Sequence, residues 1–222
     1  MGKMIDVKRP DGTTARAYAA EAVGTRRAGV VVIQEWWGVQ GQITGTCDKL
    51  AAAGYSVLAP DLYDGFVAAY HDTAGAERAM NNLDAGAATA GAIRGAVLQL
   101  KAQGGKVGLT GFCLGGLLTA LGALKIPEVD AGVAFYGLPS PAAGDPKGLR
   151  IPLQGHFANT DAWCTPEAVN EFEAAAKSAP RLPEFHRYDA EHGFMNEERP
   201  QFHPASAALA WERMMAFWRK HL

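Results

Sequence analysis

The residue most able to do chemistry is Cys113, in the stretch Gly111-Phe112-Cys113-Leu114-Gly115. G-x-C-x-G is the G-x-S-x-G nucleophile pattern with sulfur in place of oxygen. Such an elbow turns a strand into a helix so sharply that its central residue is strained and pushed outward. Glycines two residues to either side let neighbouring backbone come close. At the start of a helix the macrodipole favours a thiolate. There the Leu114 backbone N–H would face a developing oxyanion. Alone the pattern is weak, the flanking strand and helix strengthen it, and the bland alternative is that Cys113 is a small buried residue in a glycine-rich turn.

A nucleophile of this kind needs an acid and then a histidine further along the chain. Gly155-His156-Phe157-Ala158-Asn159-Thr160-Asp161 and Asp189-Ala190-Glu191-His192-Gly193-Phe194 follow in that order. Both are read as loops after strands. His192 would take the thiol proton and return it to the leaving group. Asp161 would orient the ring and stabilise the imidazolium. The bland alternative for Asp161 is a turn residue. His156, close to Asp161, is the rival base, against a plainer role as a polar residue lining the strand end. His71, His186, His203 and His221 lack an acid in place or sit within elements.

Gln34-Glu35-Trp36-Trp37-Gly38 stands where a second oxyanion donor would come from, with the Trp36 N–H as candidate. Glu35 is a carboxylate between an apolar run and two tryptophans. Burial there is costly without a partner, so it either has a special role or caps a loop facing solvent.

These residues must be positioned by elements. Gly29–Gln34, Tyr55–Ala59, Lys106–Thr110, Ala131–Tyr136, Ile151–Gly155 and Pro183–Tyr188 read as short buried strands. Helical patterns lie between them. One runs from Gly41 to Ala53 with Gly54 as its C-terminal stop. Another, Ala74 to Ala102, holds four glycines and should break. A third covers Leu117 to Leu124. Thr165 caps a fourth with Pro166 in its first turn. The last spans Pro204 to His221. Ile5–Arg9 and Ala15–Ala19 around Asp11-Gly12 read as a β-hairpin. Strands alternating with helices indicate an α/β fold with a mostly parallel central sheet and helices on both faces. No linker divides the chain, so residues 1–222 read as one domain. In such sheets the chemistry lies beyond the C-terminal strand ends. Glu35, Asp61, Cys113, Tyr136, Asp161 and His192 all follow strands.

Composition narrows the classes. The 222 residues carry 21 Lys+Arg against 23 Asp+Glu, so no broad basic field invites nucleic acid or an anionic membrane. The start of the chain has no apolar signal core, and no apolar run approaches the ~18 residues of a membrane span. Cys47, Cys113 and Cys164 are odd in number and widely spaced, which argues against a disulfide framework or a zinc pair. A reducing cytoplasm is expected. Gly is abundant at 26 residues, much of it at the ends of apolar runs where turns and close approach need it.

Together the chain resembles the dienelactone hydrolase family of α/β-hydrolases. Nearly the whole chain carries the resemblance. Its bearers are Gln34–Gly38, Ala59-Pro60-Asp61-Leu62-Tyr63, Lys106–Gly116, Phe135-Tyr136-Gly137, Asp161 and Glu191–Phe194. The resemblance implies a compact core without a large lid and action on small cyclic esters. It maps a triad onto Cys113, Asp161 and His192, and implies that Glu35 hydrogen-bonds the nucleophile and helps form the thiolate. Family members acting on carboxylated dienelactones grip the carboxylate with arginines, one of them four residues after the histidine. Here that position is Asn196, whose amide cannot form a charged bidentate clamp. Arg78 and Arg199 are the candidate substitutes.

The sequence thus points to a cytoplasmic cysteine hydrolase opening small lactones or esters through a thioester acyl-enzyme, with no metal or organic cofactor. Tyr63, Tyr136 and Trp163 are candidate pocket walls, or core aromatics. A small-molecule ester or lactone is the expected partner. No nucleic acid or membrane is expected, and the chain is read as a monomer, with a dimer as the alternative. The rival readings are a broader carboxylesterase or thioesterase, and a non-catalytic thiol sensor or ligand-binding protein on the same scaffold.

Overall fold

The computed structural model describes residues 2–222. The chain begins with a hairpin, β1 (Lys3–Lys8) and β2 (Thr14–Ala20). Gly12 takes φ +87° at its turn, and the Asp11 side chain accepts from the Thr13 N–H. Then come β3 (Ala28–Ile33), α1 (Gly41–Ala52), β4 (Tyr55–Pro60) and α2 (Thr73–Asn82). A short α3 (Ala85–Ala88) runs through a wide π turn (Thr89–Ile93) into α4 (Arg94–Ala102). β5 (Val107–Phe112), α5 (Leu114–Lys125), β6 (Ala131–Phe135), β7 (Leu153–Thr160), α6 (Pro166–Ala176), β8 (Glu184–Glu191) and α7 (Pro204–His221) complete it.

The eight strands form one sheet in the order β1-β2-β4-β3-β5-β6-β7-β8. Only β2 runs against the rest: it pairs antiparallel with β1 and β4, and every later pairing is parallel. Parallel strands covered on both faces must be apolar throughout, and β3, β4, β5 and β6 are buried at every position. Alternation along β3 divides its side chains between two cores. Val30 and Val32 pack with Ile43 and Leu50 of α1 and with Met214, Phe217 and Trp218 of α7. Val31 and Ile33 face Ile93, Val97 and Leu100 of the α3–α4 segment, and Leu118 and Leu121 of α5. α6 extends that second layer over β7 through Phe172 and Ala176.

The elements follow the sequence expectations closely, and the differences lie at element ends. The expected break in the Ala74–Ala102 pattern falls at Leu83, where Asp84 caps the next helix by accepting from the Ala87 N–H. β4 includes Pro60, tolerated as its last residue; the neighbouring Asp61 N–H bonds the Arg16 carbonyl. β7 runs on to Thr160 and β8 to Glu191, so the segments from His156 to Thr160 and from Asp189 to Glu191, read as loops, are strand. His156 lies wholly inside β7, bonded to Tyr188 and Gln154, and burial pushes its pKa well down. It is therefore a structural link between neighbouring strands, remote from any loop. No described helix is long and apolar enough to cross a membrane.

Candidate active site

Glu35, Cys113, Asp161 and His192 lie just beyond the C-terminal ends of β3, β5, β7 and β8. Cys113 has φ 56° and ψ −114°, a backbone state that a non-glycine residue enters only under constraint. The constraint is visible. Its N–H bonds the Phe135 carbonyl of β6, and its carbonyl accepts from Leu117 in the first turn of α5. Gly115 makes the elbow possible. A Cβ there would stand 2.2 Å from the Ile33 carbonyl oxygen and 2.7 Å from that of Gln34. The start of α5 thus rests on the end of β3, which sets Cys113 beside Glu35. Neither the Trp36 nor the Leu114 N–H has a backbone partner within the described residues, as oxyanion donors would require.

Asp161 and His192 meet through an irregularity between β7 and β8. The two strands pair in step up to Ala158 with Tyr188, then Thr160 pairs with Glu191. β8 has gained one residue, a bulge formed by Asp189 and Ala190. Without it Asp161 would face Glu191. With it Asp161 faces His192, whose Nδ1 donates to both carboxylate oxygens at 3.0 and 2.8 Å. The Asp161 side chain has no exposure. It also accepts from the Trp163 and Cys164 N–H groups at 2.8 and 2.9 Å. Burial lowers the His192 pKa, but hydrogen bonds with Asp161 and Cys113 and the charges of both outweigh it, raising the value to about 10. A histidine so biased holds its proton at neutral pH and can stand as the cation beside a thiolate.

Glu35 is buried with partners. Tyr136 Oη donates to Oε1 at 3.1 Å and Asn196 Nδ2 to Oε2 at 2.8 Å. Burial raises its pKa; the Asn196 bond, the His192 charge, the Tyr136 bond and the Arg199 charge oppose that rise. Both carboxylate oxygens are taken by these donors, and neither bonds Cys113 in this state. Asn196 is itself fully buried, and its amide also reaches Tyr70 Oη at 3.2 Å and accepts from the Glu198 N–H. The amide thus does structural work where a ligand contact was expected. Sequence spacing could not have found this, because the partners lie 161 residues apart.

A cavity of about 650 Å³ opens over Cys113 and His192. Trp36, Trp37, Met80, Trp163, Asn196 and Arg199 are among its walls. Of the expected substrate contacts, Trp163, Asn196 and Arg199 reach it. Tyr63 and Arg78 instead line a neighbouring groove of about 370 Å³. Tyr136 has no exposure and packs edge-on to His192, 5.0 Å between centroids, so it supports the site from beneath. Asp61 shapes its own loop by accepting from the Tyr63 and Gly65 N–H groups.

Residues 15–222 match the model of the dienelactone hydrolase family. The chain is 31% identical, over the full length of both, to "Protein usf" of Aquifex pyrophilus. It shares the same identity and coverage with a protein of Aquifex aeolicus (strain VF5) provisionally named a carboxymethylenebutenolidase. The crystal structure of a provisionally named dienelactone hydrolase from Klebsiella pneumoniae subsp. pneumoniae MGH 78578 superposes with a TM-score of 0.87, at 27% identity and with full coverage of both chains.

Proposed function

The chain belongs to the dienelactone hydrolase family, and on that premise we propose that it hydrolyses small esters or lactones with Cys113 as nucleophile. The observation that carries the reading is the Cys113 elbow, with its forced φ of 56°, set beside a His192 held by buried Asp161. In the first half-reaction His192, already holding the proton of the Cys113 thiol on Nε2, stands beside the sulfur as its counter-ion. The sulfur attacks the carbonyl carbon, and the oxyanion is met by the Trp36 and Leu114 N–H groups. The C–O bond then breaks, His192 protonates the departing alkoxide, and a thioester remains on Cys113. In a lactone the alcohol stays tethered to the acyl chain. Water then attacks the thioester, giving one proton to His192. The C–S bond breaks, acid is released, and the sulfur leaves as a thiolate beside protonated His192. Asp161 holds the ring so that Nε2 faces the reaction. Glu35, held by Tyr136 and Asn196, places a buried carboxyl group beside the sulfur. The three free cysteines accord with a reducing cytoplasm.

Rapid mixing with p-nitrophenyl acetate tests this. The wild type should give a burst of one nitrophenolate per active site, with an acetyl group on Cys113 by mass spectrometry after acid quench. Cys113→Ala should lose burst and turnover while keeping its melting temperature. Turnover surviving in Cys113→Ala would overturn the assignment and favour a ligand-binding scaffold whose esterase activity resides elsewhere.

A further inference from the structure

We infer that the cavity over Cys113 selects substrates whose acyl part is uncharged and apolar, and disfavours those bearing a remote carboxylate. The inference rests on the hydrolase reading above and adds the substrate class. Its first support is the wall. Trp36 and Trp163 stand at 53° to one another with centroids 5.7 Å apart, and Met80 adds to their surface. Trp163 is 69% exposed, so a large apolar face is open to whatever enters. Exposed apolar surface inside a concave site marks where a ligand buries it.

The second support is charge. Arg199 supplies the guanidinium among the described lining residues, and no lysine joins it. That guanidinium is already engaged. It lies 4.7 Å over the Trp37 ring and 5.5 Å from that of Tyr70, donates to the Tyr70 carbonyl, and its charge acts on Glu35. Four carboxylates, Glu35, Asp161, Glu167 and Glu191, also line the cavity. Asp161 is matched by His192, while Glu167 and Glu191 are exposed, with no ion pair to either among the described residues. The fully buried Asn196 amide spends its hydrogen bonds on Glu35, Tyr70 and the Glu198 N–H, leaving little for an incoming anion. A substrate carboxylate would enter a negative field and find no free bidentate partner.

The test compares two esters that differ only at the far end of the acyl chain: mono-p-nitrophenyl adipate and its methyl ester. At pH 7.5 and low salt, kcat/KM for the methyl ester should exceed that for the carboxylate by about tenfold, a gap of the size two nearby like charges produce. The gap should narrow in about 0.5 M sodium chloride, where screening shortens to a few ångströms. It should narrow also in the Glu167→Gln/Glu191→Gln double variant. Equal or faster cleavage of the carboxylate ester would overturn the charge selection while leaving the hydrolase reading intact. Failure to cleave either ester would sink both, and a gap unmoved by salt and by the double variant would remove electrostatics as its origin.

Discussion

Asn196 is the most informative position to perturb, because its amide joins three parts of the site. It donates to Glu35 at 2.8 Å and to Tyr70 at 3.2 Å, and accepts from the Glu198 N–H at 3.1 Å. A bond to a carboxylate is worth about 1.5–3 kcal/mol and a neutral one about 1 kcal/mol. Because Glu198 is exposed, water can replace its lost partner. Asn196→Ala should therefore cost about 3 kcal/mol, or about 6–12 °C in melting temperature for a domain of this size. Asn196→Asp keeps the shape and makes a sharper test. It places a second carboxylate within hydrogen-bond reach of buried Glu35, and the pair can bond only while sharing a proton. The sign is fixed by linkage. Burial already holds the Glu35 pKa above its ordinary value, so the folded state keeps a proton that the unfolded state has released. Stability then falls as pH rises above about 4.5 until the folded pKa is passed. The new carboxyl, buried against Glu35, should likewise hold a proton in the folded state above the pH at which it ionises in the unfolded chain. While that extra proton is held, the penalty against wild type should grow by about 1.4 kcal/mol per pH unit. Urea unfolding at pH 5, 6.5 and 8 reads this directly. A difference between variant and wild type that stays constant over that range would refute the coupling between Asn196 and Glu35.

Two further outcomes follow from the His192–Asp161 pair. Asp161→Asn should reduce kcat on p-nitrophenyl acetate by about 10³-fold or more with little change in KM, because an amide cannot fix the tautomer or stabilise the imidazolium; steady-state kinetics would show it. In the wild type, His192 should keep its proton through neutral pH, since Asp161 and Cys113 raise its pKa to about 10. A raised histidine pKa adds stability that is complete below about 6.5 and is lost as pH climbs through about 10, so melting temperatures should decline between these values and level off above the upper one. NMR titration of the His192 ring would give a midpoint far above that of a free imidazole.

Much of the fold was legible because buried parallel strands announce themselves. The apolar runs at Val30–Ile33 and Val107–Thr110 lie between glycines and helical stretches, and the last helix was bounded by Pro204 and the chain's final basic turn. The triad candidates were legible because their order and their places after strands are local properties. What escaped depends on pairing. Ala158-Asn159-Thr160 has weak strand character, and only its alignment with β8 makes it strand. The contact of Asn196 with Glu35, and the engagement of Arg199 on Trp37 and Tyr70, join segments far apart in sequence. The glycines of Ala74–Ala102 looked like a liability. Gly95 is now accounted for, since a Cβ there would stand 2.5 Å from the Lys8 carbonyl, where the helix crosses the hairpin.

The bulge in β8 ties activity to counting. Because strand side chains alternate with a period of two, the offset at Asp189-Ala190 decides whether Asp161 faces a base or another acid. Substitutions along this edge strand can drift while the proton path survives. One residue added ahead of Glu191, with the bulge still absorbing only one, would set Glu191 where His192 belongs, silencing the chemistry in a protein that still folds. Lineages carrying this site can thus vary the composition of that edge far more freely than its length.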